Sequence, residues 1–326
     1  MHPVFDGHND TLTSGHSFLE PSAEGHLDLS RARAGGFAGG FFALFAEHPT
    51  HTWDDAVRGP DAEPELSVDR AHALAATLAT AGHLLALEAA APDDIRVVRS
   101  AADLELGGPI KAVMHLEGAE AIDPELEILP ALHALGLRSL GITWSRPNAF
   151  GHGVPFAFPS SPDTGPGLTD AGRALVRACD ELGIVVDLAH LTERGFWDVA
   201  DLTRNPLVVT HACAHALVPS ARNLTDAQLD AVGESGGVVG VCFHFEDVGP
   251  RRADIARQVD YIAARIGPAH VALGSDFDGC ELPADLDGAG GLQDVLGDLT
   301  ALGWSEGDVN LVASGNWLRV LRAALA

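Results

Sequence analysis

Six side chains carry the chemistry of this sequence: His8, Asp10, Glu117, His190, His211 and Asp276. Imidazole and carboxylate are the donors that suit zinc and similar divalent ions, and carboxylates also move protons. His8 and Asp10 are two residues apart, so on a strand that persists to Asp10 both side chains leave one face and reach one ion together. Glu117, His190 and His211 complete a donor set that is small for two separate sites. It suffices for two ions if Glu117 bridges them. One ion then takes His8, Asp10 and one oxygen of Glu117, and the other takes His190, His211 and the second oxygen. A water between two ions about 3.5–4 Å apart is a nucleophile at neutral pH. The single lysine, Lys111, could serve as a carboxylated bridge in another type of site, but it opens the run that Glu117 closes and so belongs to the opposite end.

The elements that must position these groups are short apolar runs alternating with amphipathic stretches, the pattern of a parallel sheet with helical crossovers. Eight runs are legible: PVFDG near the start, FFALFA from Phe41, AVMHLEG from Ala112, LGITW from Leu140, IVVDLAH from Ile184, LVVTHAC from Leu207, GVVGVCF from Gly237 and VALGSDF from Val271. In an eight-stranded α/β barrel the reactive groups come from the C-terminal strand ends. The first run ends in His8 and Asp10, the third in Glu117, the fifth in His190, the sixth in His211, and the eighth in Asp276 with Asp278 behind it. Thr169 and Thr225 are placed to cap helices. Leu66 to Ala91 reads as one long Ala-rich helix, and the stretch from Ser305 onward reads as a terminal helix. Asn148 to Gly167, rich in Pro, Gly and Ser, is expected to be a long loop over the site. The expectation is one (β/α)8 TIM barrel spanning 1–326, a single metallohydrolase domain.

Composition narrows the partners. A formal net charge of -26 disfavours nucleic acid and anionic lipid. The absence of a run of about 18 apolar residues, and of a basic segment followed by an apolar one at the start, leads to the expectation of a cytoplasmic protein without a membrane. Cys179, Cys213, Cys242 and Cys280 form no CxxC pair and read as small core residues.

With DGHND at 6–10, HLEG at 115–118, VDLAH at 186–190, THACAHALVPSARNLTD at 210–226 and GSDFDG at 274–279, the chain resembles the membrane dipeptidase (renal dipeptidase) family of zinc peptidases in the amidohydrolase superfamily. The resemblance implies two zinc ions bridged by Glu117, although manganese, cobalt or iron suits the same donors. It also implies hydrolysis of dipeptides, including ones with a D-residue at the C-terminal position, by a hydroxide held between the ions, and it is compatible with a homodimer. Position by position, Arg222 looks like the residue that holds the substrate carboxylate, and Asp276 like the acid/base that carries the proton to the leaving amine. One departure matters. Family members have a His at the fourth strand end that helps polarise the carbonyl, and this chain has Trp144. Either the metal alone polarises the carbonyl or another donor such as Asn148 or His152 is expected to replace that His, with Trp144 shaping the substrate pocket. The same site would also accommodate an N-acyl amino acid, a lactone or a cyclic amide, and a non-catalytic metal-binding or assembly role is the reading without turnover.

Overall fold

The computed structural model describes residues 1–51 and 58–325; positions 52–57 and 326 of the expected domain lie outside the described residues. In chain order the elements are β1 (Val4–Asn9), α1 (Leu29–Gly35), β2 (Phe37–Phe45), α2 (Arg70–Ala90), β3 (Ile95–Val97), β4 (Ile110–Glu117), α3 (Leu129–Leu135), β5 (Leu137–Gly141), α4 (Asp170–Leu182) and β6 (Val185–Asp187). They continue as α5 (Glu193–Leu202), β7 (Val208–Ala212), α6 (Asp226–Glu234), β8 (Val238–Val241), α7 (Phe245–Val248), α8 (Arg252–Ile266), β9 (Val271–Leu273), α9 (Leu292–Ala301), α10 (Glu306–Asn310) and α11 (Asn316–Ala324).

Eight parallel strands follow one another as β1-β2-β4-β5-β6-β7-β8-β9, and β3 adds to the edge of β4. This is the expected barrel, nearly closed. The last seam is narrow: Asp276 N–H donates to the His8 carbonyl (2.9 Å) and Asp10 N–H to the Phe277 carbonyl (2.8 Å). Asp6 reinforces the seam by accepting from the Ser275 amide (2.7 Å) and hydroxyl (2.8 Å).

The interior is filled rather than hollow. Trp317 of α11 is fully buried beside Phe5, Phe41, Val113 and Val208, and its indole N–H donates to the Leu273 carbonyl at 2.9 Å. Room for that ring requires a glycine at position 7, where an added Cβ would lie 2.5 Å from Trp317 Cζ2. Along β4 the inward face climbs from Val113, against the Trp317 cluster, through buried His115 to Glu117 at the strand's end. An apolar floor therefore gives way to a polar layer and then to the site.

Thr169 and Thr225 cap α4 and α6 as expected, accepting from the amides of Gly172 and Gln228. The Ala-rich helix starts later than Leu66, because Asp69 accepts from the amides of Ala71 and His72 and so sets the first turn at Arg70. At 21 residues α2 is long and apolar enough to cross a membrane by length and composition, although no unbroken apolar run announces it. It runs as the crossover after β2, with Ala73, Ala81, Leu84 and Leu87 buried. The terminal helix is interrupted: Ser305 caps α10, a π turn occupies Leu311–Gly315, and α11 follows. That turn immediately precedes Trp317 in the barrel floor. β5 ends at Gly141 and β6 at Asp187, which leaves Trp144 and His190 beyond their strands rather than within them.

Candidate active site

The strand ends bring four of the other five chemical residues around Glu117. His8 Nε2 lies 3.2 Å from Asp10 Oδ2 and 3.6 Å from Glu117 Oε2. On the other oxygen, Glu117 Oε1 lies 3.2 Å from His190 Nε2 and 3.7 Å from His211 Nε2. The two imidazole Nε2 atoms are 2.9 Å apart. Asp276 stands at the edge, its Oδ1 3.9 Å from His8 Nε2. Glu117 thus faces a His/Asp pair with one oxygen and a His/His pair with the other. Among the described residues two groups have the spacing to hold an ion, His8 with Glu117 and His211, and His8 with Asp10 and Asp276.

Backbone geometry shows how tightly the groups are placed. His190 (φ 64°), Asp276 (φ 59°) and Asp278 (φ 68°) adopt the left-handed conformation without being glycine. Such residues cost about 1–3 kcal/mol and persist where the surrounding structure dictates them. Gly279 is needed for a different reason: a Cβ there would run into the carboxylates of Asp10 and Asp276.

Buried hydrogen bonds orient the imidazoles. Thr210 donates its hydroxyl to Asp187 Oδ2 at 2.6 Å, so its oxygen is left to accept from His211 Nδ1 at 2.9 Å. This places the His211 proton on Nδ1 and leaves the Nε2 lone pair facing Glu117. Ser145 Oγ meets His190 Nδ1 at 2.8 Å. His115, beneath His8 with ring centroids 5.3 Å apart, pairs its Nδ1 with the Ser139 hydroxyl.

Burial and charge set the protonation. Burial, with Arg222 nearby, pulls His190 down to about 3, and burial pulls His211 well below the usual imidazole range, so both are neutral at pH 7. Burial opposes charge on Glu117, yet His8 and His190 hold it well below the carboxylate range. Burial also opposes the cation at His8, but Glu117 and Asp10 outweigh it and push its pKa up. Asp10 is raised to about 7 by burial. Both ring nitrogens of His8 are buried without a hydrogen-bond partner. A neutral His/His pair, an ionised carboxylate and an imidazole with no other partner form a donor set that fits divalent cations.

Above the cluster opens a cavity of about 460 Å³ whose walls include Asp10, Glu117, Trp144, His190, Arg222 and Asp276. Arg222 is 7% exposed, and among the described residues no carboxylate oxygen lies within 4.0 Å of its guanidinium. Asn148 and His152 do not line this cavity, which corrects the expectation that either donates to substrate. The Asn148 amide is committed to its own loop, donating to the Ile142 carbonyl (2.7 Å) and accepting from the amides of Phe150 and Gly151. His152 turns its Nδ1 to the Gly167 carbonyl at 3.3 Å. Loop closure, invisible in composition, consumes both. Lys111 lies at the start of β4, away from the site, as its place in the run requires.

The model of the membrane dipeptidase family, peptidase family M19, matches residues 1–326. The chain belongs to that family. A metallo peptidase from Rhodobacter sphaeroides, solved with a phosphinate mimic of the dipeptide L-Ala-D-Ala, is 42% identical with a TM-score of 0.91, over 98% of both chains. A dipeptidase described as an M19 metallo peptidase is 42% identical with a TM-score of 0.92, over 99% of both. An uncharacterized Klebsiella pneumoniae protein from the pqqA 5′ region is 45% identical over 239 residues, 70% of this chain and 88% of its own. This chain is a peptide hydrolase of the metal-dependent dipeptidase type.

Sequence reading missed several participants. Asp187 and Thr210 sit inside the VDLAH and THAC segments, where only the histidines drew attention. A carboxylate three residues before His190 and a hydroxyl next to His211 were the available signal. Phe45 and Phe156 also line the cavity, and nothing local distinguishes them from core phenylalanines.

Proposed function

We propose that this chain is a binuclear zinc dipeptidase that accepts dipeptides with either an L- or a D-residue at the C-terminal position. The observation that carries the reading is the division of Glu117, one oxygen toward His8 and Asp10 and the other toward His190 and His211. The dipeptide mimic bound by the Rhodobacter sphaeroides relative supports the substrate class, including the D-residue. Two ions held by those five residues would activate water and polarise the scissile carbonyl.

The chain's own residues do the rest. Arg222, buried and with no carboxylate oxygen within 4.0 Å among the described residues, presents a planar pair of donors to the substrate's free carboxylate. Asp276, at the edge of the cluster and 17% exposed at its side chain, takes the proton from the attacking water and delivers it to the leaving amine. Thr210 and Ser145 hold the His211 and His190 rings in place while this happens. A panel of L,L and L,D dipeptides, incubated with zinc-loaded protein, tests the reading by amino-acid release. Turnover of N-acyl amino acids or cyclic amides with none of any dipeptide would reassign the site.

A further inference from the structure

The wall of the cavity on the β2 and β5 side carries three aromatic rings, beside Glu47, His48, His51, Glu65 and Arg146, which line it as well. Phe45 ends β2, Trp144 follows β5, and Phe156 belongs to the long loop after it; all three line the cavity. The Phe45 and Trp144 centroids are 5.1 Å apart, Trp144 and Phe156 are 5.4 Å apart, and Trp144 lies 5.9 Å from His190. The wall is rigid because Arg146 braces it. Its guanidinium carbon sits 5.0 Å from the Phe45 centroid and 5.2 Å from that of Trp144. Arg146 is 1% exposed and tied to Glu120 Oε1 and the Ala46 carbonyl, both at 2.8 Å.

Barrel topology says which part of a substrate meets this wall. Counting round the eight strands, β7 and β2 are four steps apart and so face each other across the mouth. Arg222 is in the loop after β7, and Glu117, which ends β4 between β2 and β5, reaches from the wall side toward His190 and His211 on the Arg222 side. A dipeptide whose carboxylate is held at Arg222 and whose scissile bond lies over Glu117 must extend its amino-terminal residue toward Phe45 and Trp144. Resting on the dipeptidase reading, we propose that Phe45 and Trp144 form the subsite for the amino-terminal side chain and select a large apolar or aromatic one, with Phe156 closing it toward the Arg222 loop, where Ala221 N–H donates to the Ala157 carbonyl. The rings gain from each methylene they cover, and an Asp or Glu side chain would meet Glu47 and Glu65 on the same side while the Arg146 cation is already matched by Glu120.

The test is a kcat/KM matrix with the zinc-loaded enzyme on X-Ala and Ala-X dipeptides, X being Gly, Ala, Leu, Phe or Asp. The expected result is a rise of roughly 10-fold or more from Gly-Ala to Leu-Ala and Phe-Ala, with Asp-Ala lowest. In Trp144→Leu and, separately, Phe45→Leu, the Phe-Ala to Gly-Ala ratio should fall several-fold while the Ala-Phe to Ala-Gly ratio holds. A flat X-Ala series in the wild type, or variants that shift the two series equally, overturns the subsite while leaving the dipeptidase intact. No turnover of any dipeptide by the wild type instead removes the reading on which the subsite rests.

Discussion

At the scale of single residues, the site depends on groups that never touch substrate. Thr210 can donate only one proton, and giving it to Asp187 obliges His211 to donate from Nδ1. Thr210→Val keeps the shape and removes both bonds, so the His211 tautomer is no longer dictated. Zinc affinity, measured by competition with a chromophoric chelator, should fall about 10–100-fold and return in Thr210→Ser. Asp276→Asn separates binding from proton transfer. Because Asp276 stands at the edge of the donor set, the variant should retain zinc, measured by elemental analysis, while kcat falls about 10²–10⁴-fold. Equal loss of metal and activity would place Asp276 among the ligands instead.

Between elements, two polar clamps carry testable energy. Arg146 reaches from beyond β5 to the Ala46 carbonyl beyond β2, and its charge is matched by the buried Glu120 carboxylate. Arg146→Met leaves that carboxylate buried without its cation and should cost about 3–5 kcal/mol in urea unfolding, part of which Glu120→Gln restores. The second clamp joins α2 to the chain after β3: Arg99 grips both oxygens of Glu88 at 2.9 and 2.7 Å, and Val97 N–H adds a third bond. The Arg99 guanidinium, aided by Val97, holds the Glu88 pKa below the ordinary range despite partial burial. A carboxylate depressed in the folded chain stabilises it above the unfolded pKa of about 4.3, and that stabilisation is lost as pH falls through the folded value. Glu88→Gln should therefore cost about 0.5–1 kcal/mol at pH 7, after allowing for solvent screening, with the gap to wild type closing below about pH 4.

The whole molecule stores its instability at one end of the barrel. The cluster packs His8, Asp10, Glu117, His190 and His211 into a buried volume, with His8 lacking any hydrogen-bond partner. An ion that binds the folded chain and not the unfolded one adds about 4 kcal/mol at 1,000 times its Kd. Chelation should accordingly lower the thermal midpoint by several degrees, and zinc should restore it, by scanning calorimetry. Asp10, raised to about 7 by burial, gives the pH dependence. Below that value a proton competes with the ion, and His8, whose pKa is also pushed up, must lose its proton as well, so apparent zinc affinity should rise as pH increases from 6 to 8 and keep rising above it.

The sequence by itself determined the alternation of strands and helices, the six chemical residues and their arrival at one end of a barrel. Those depend on local periodicity, helix caps and the position of each polar residue in its run, all of which survive in a linear string. Only the tertiary structure decided which oxygen of Glu117 faces which histidines, because that is a relation among strands far apart in the chain. It also removed Asn148 and His152 from the cavity, since their hydrogen bonds are made within a folded loop whose composition says nothing of its closure. The three-residue β3 is too short to show a period, and Phe45 and Phe156 look like any core phenylalanine until the barrel places them beside Trp144.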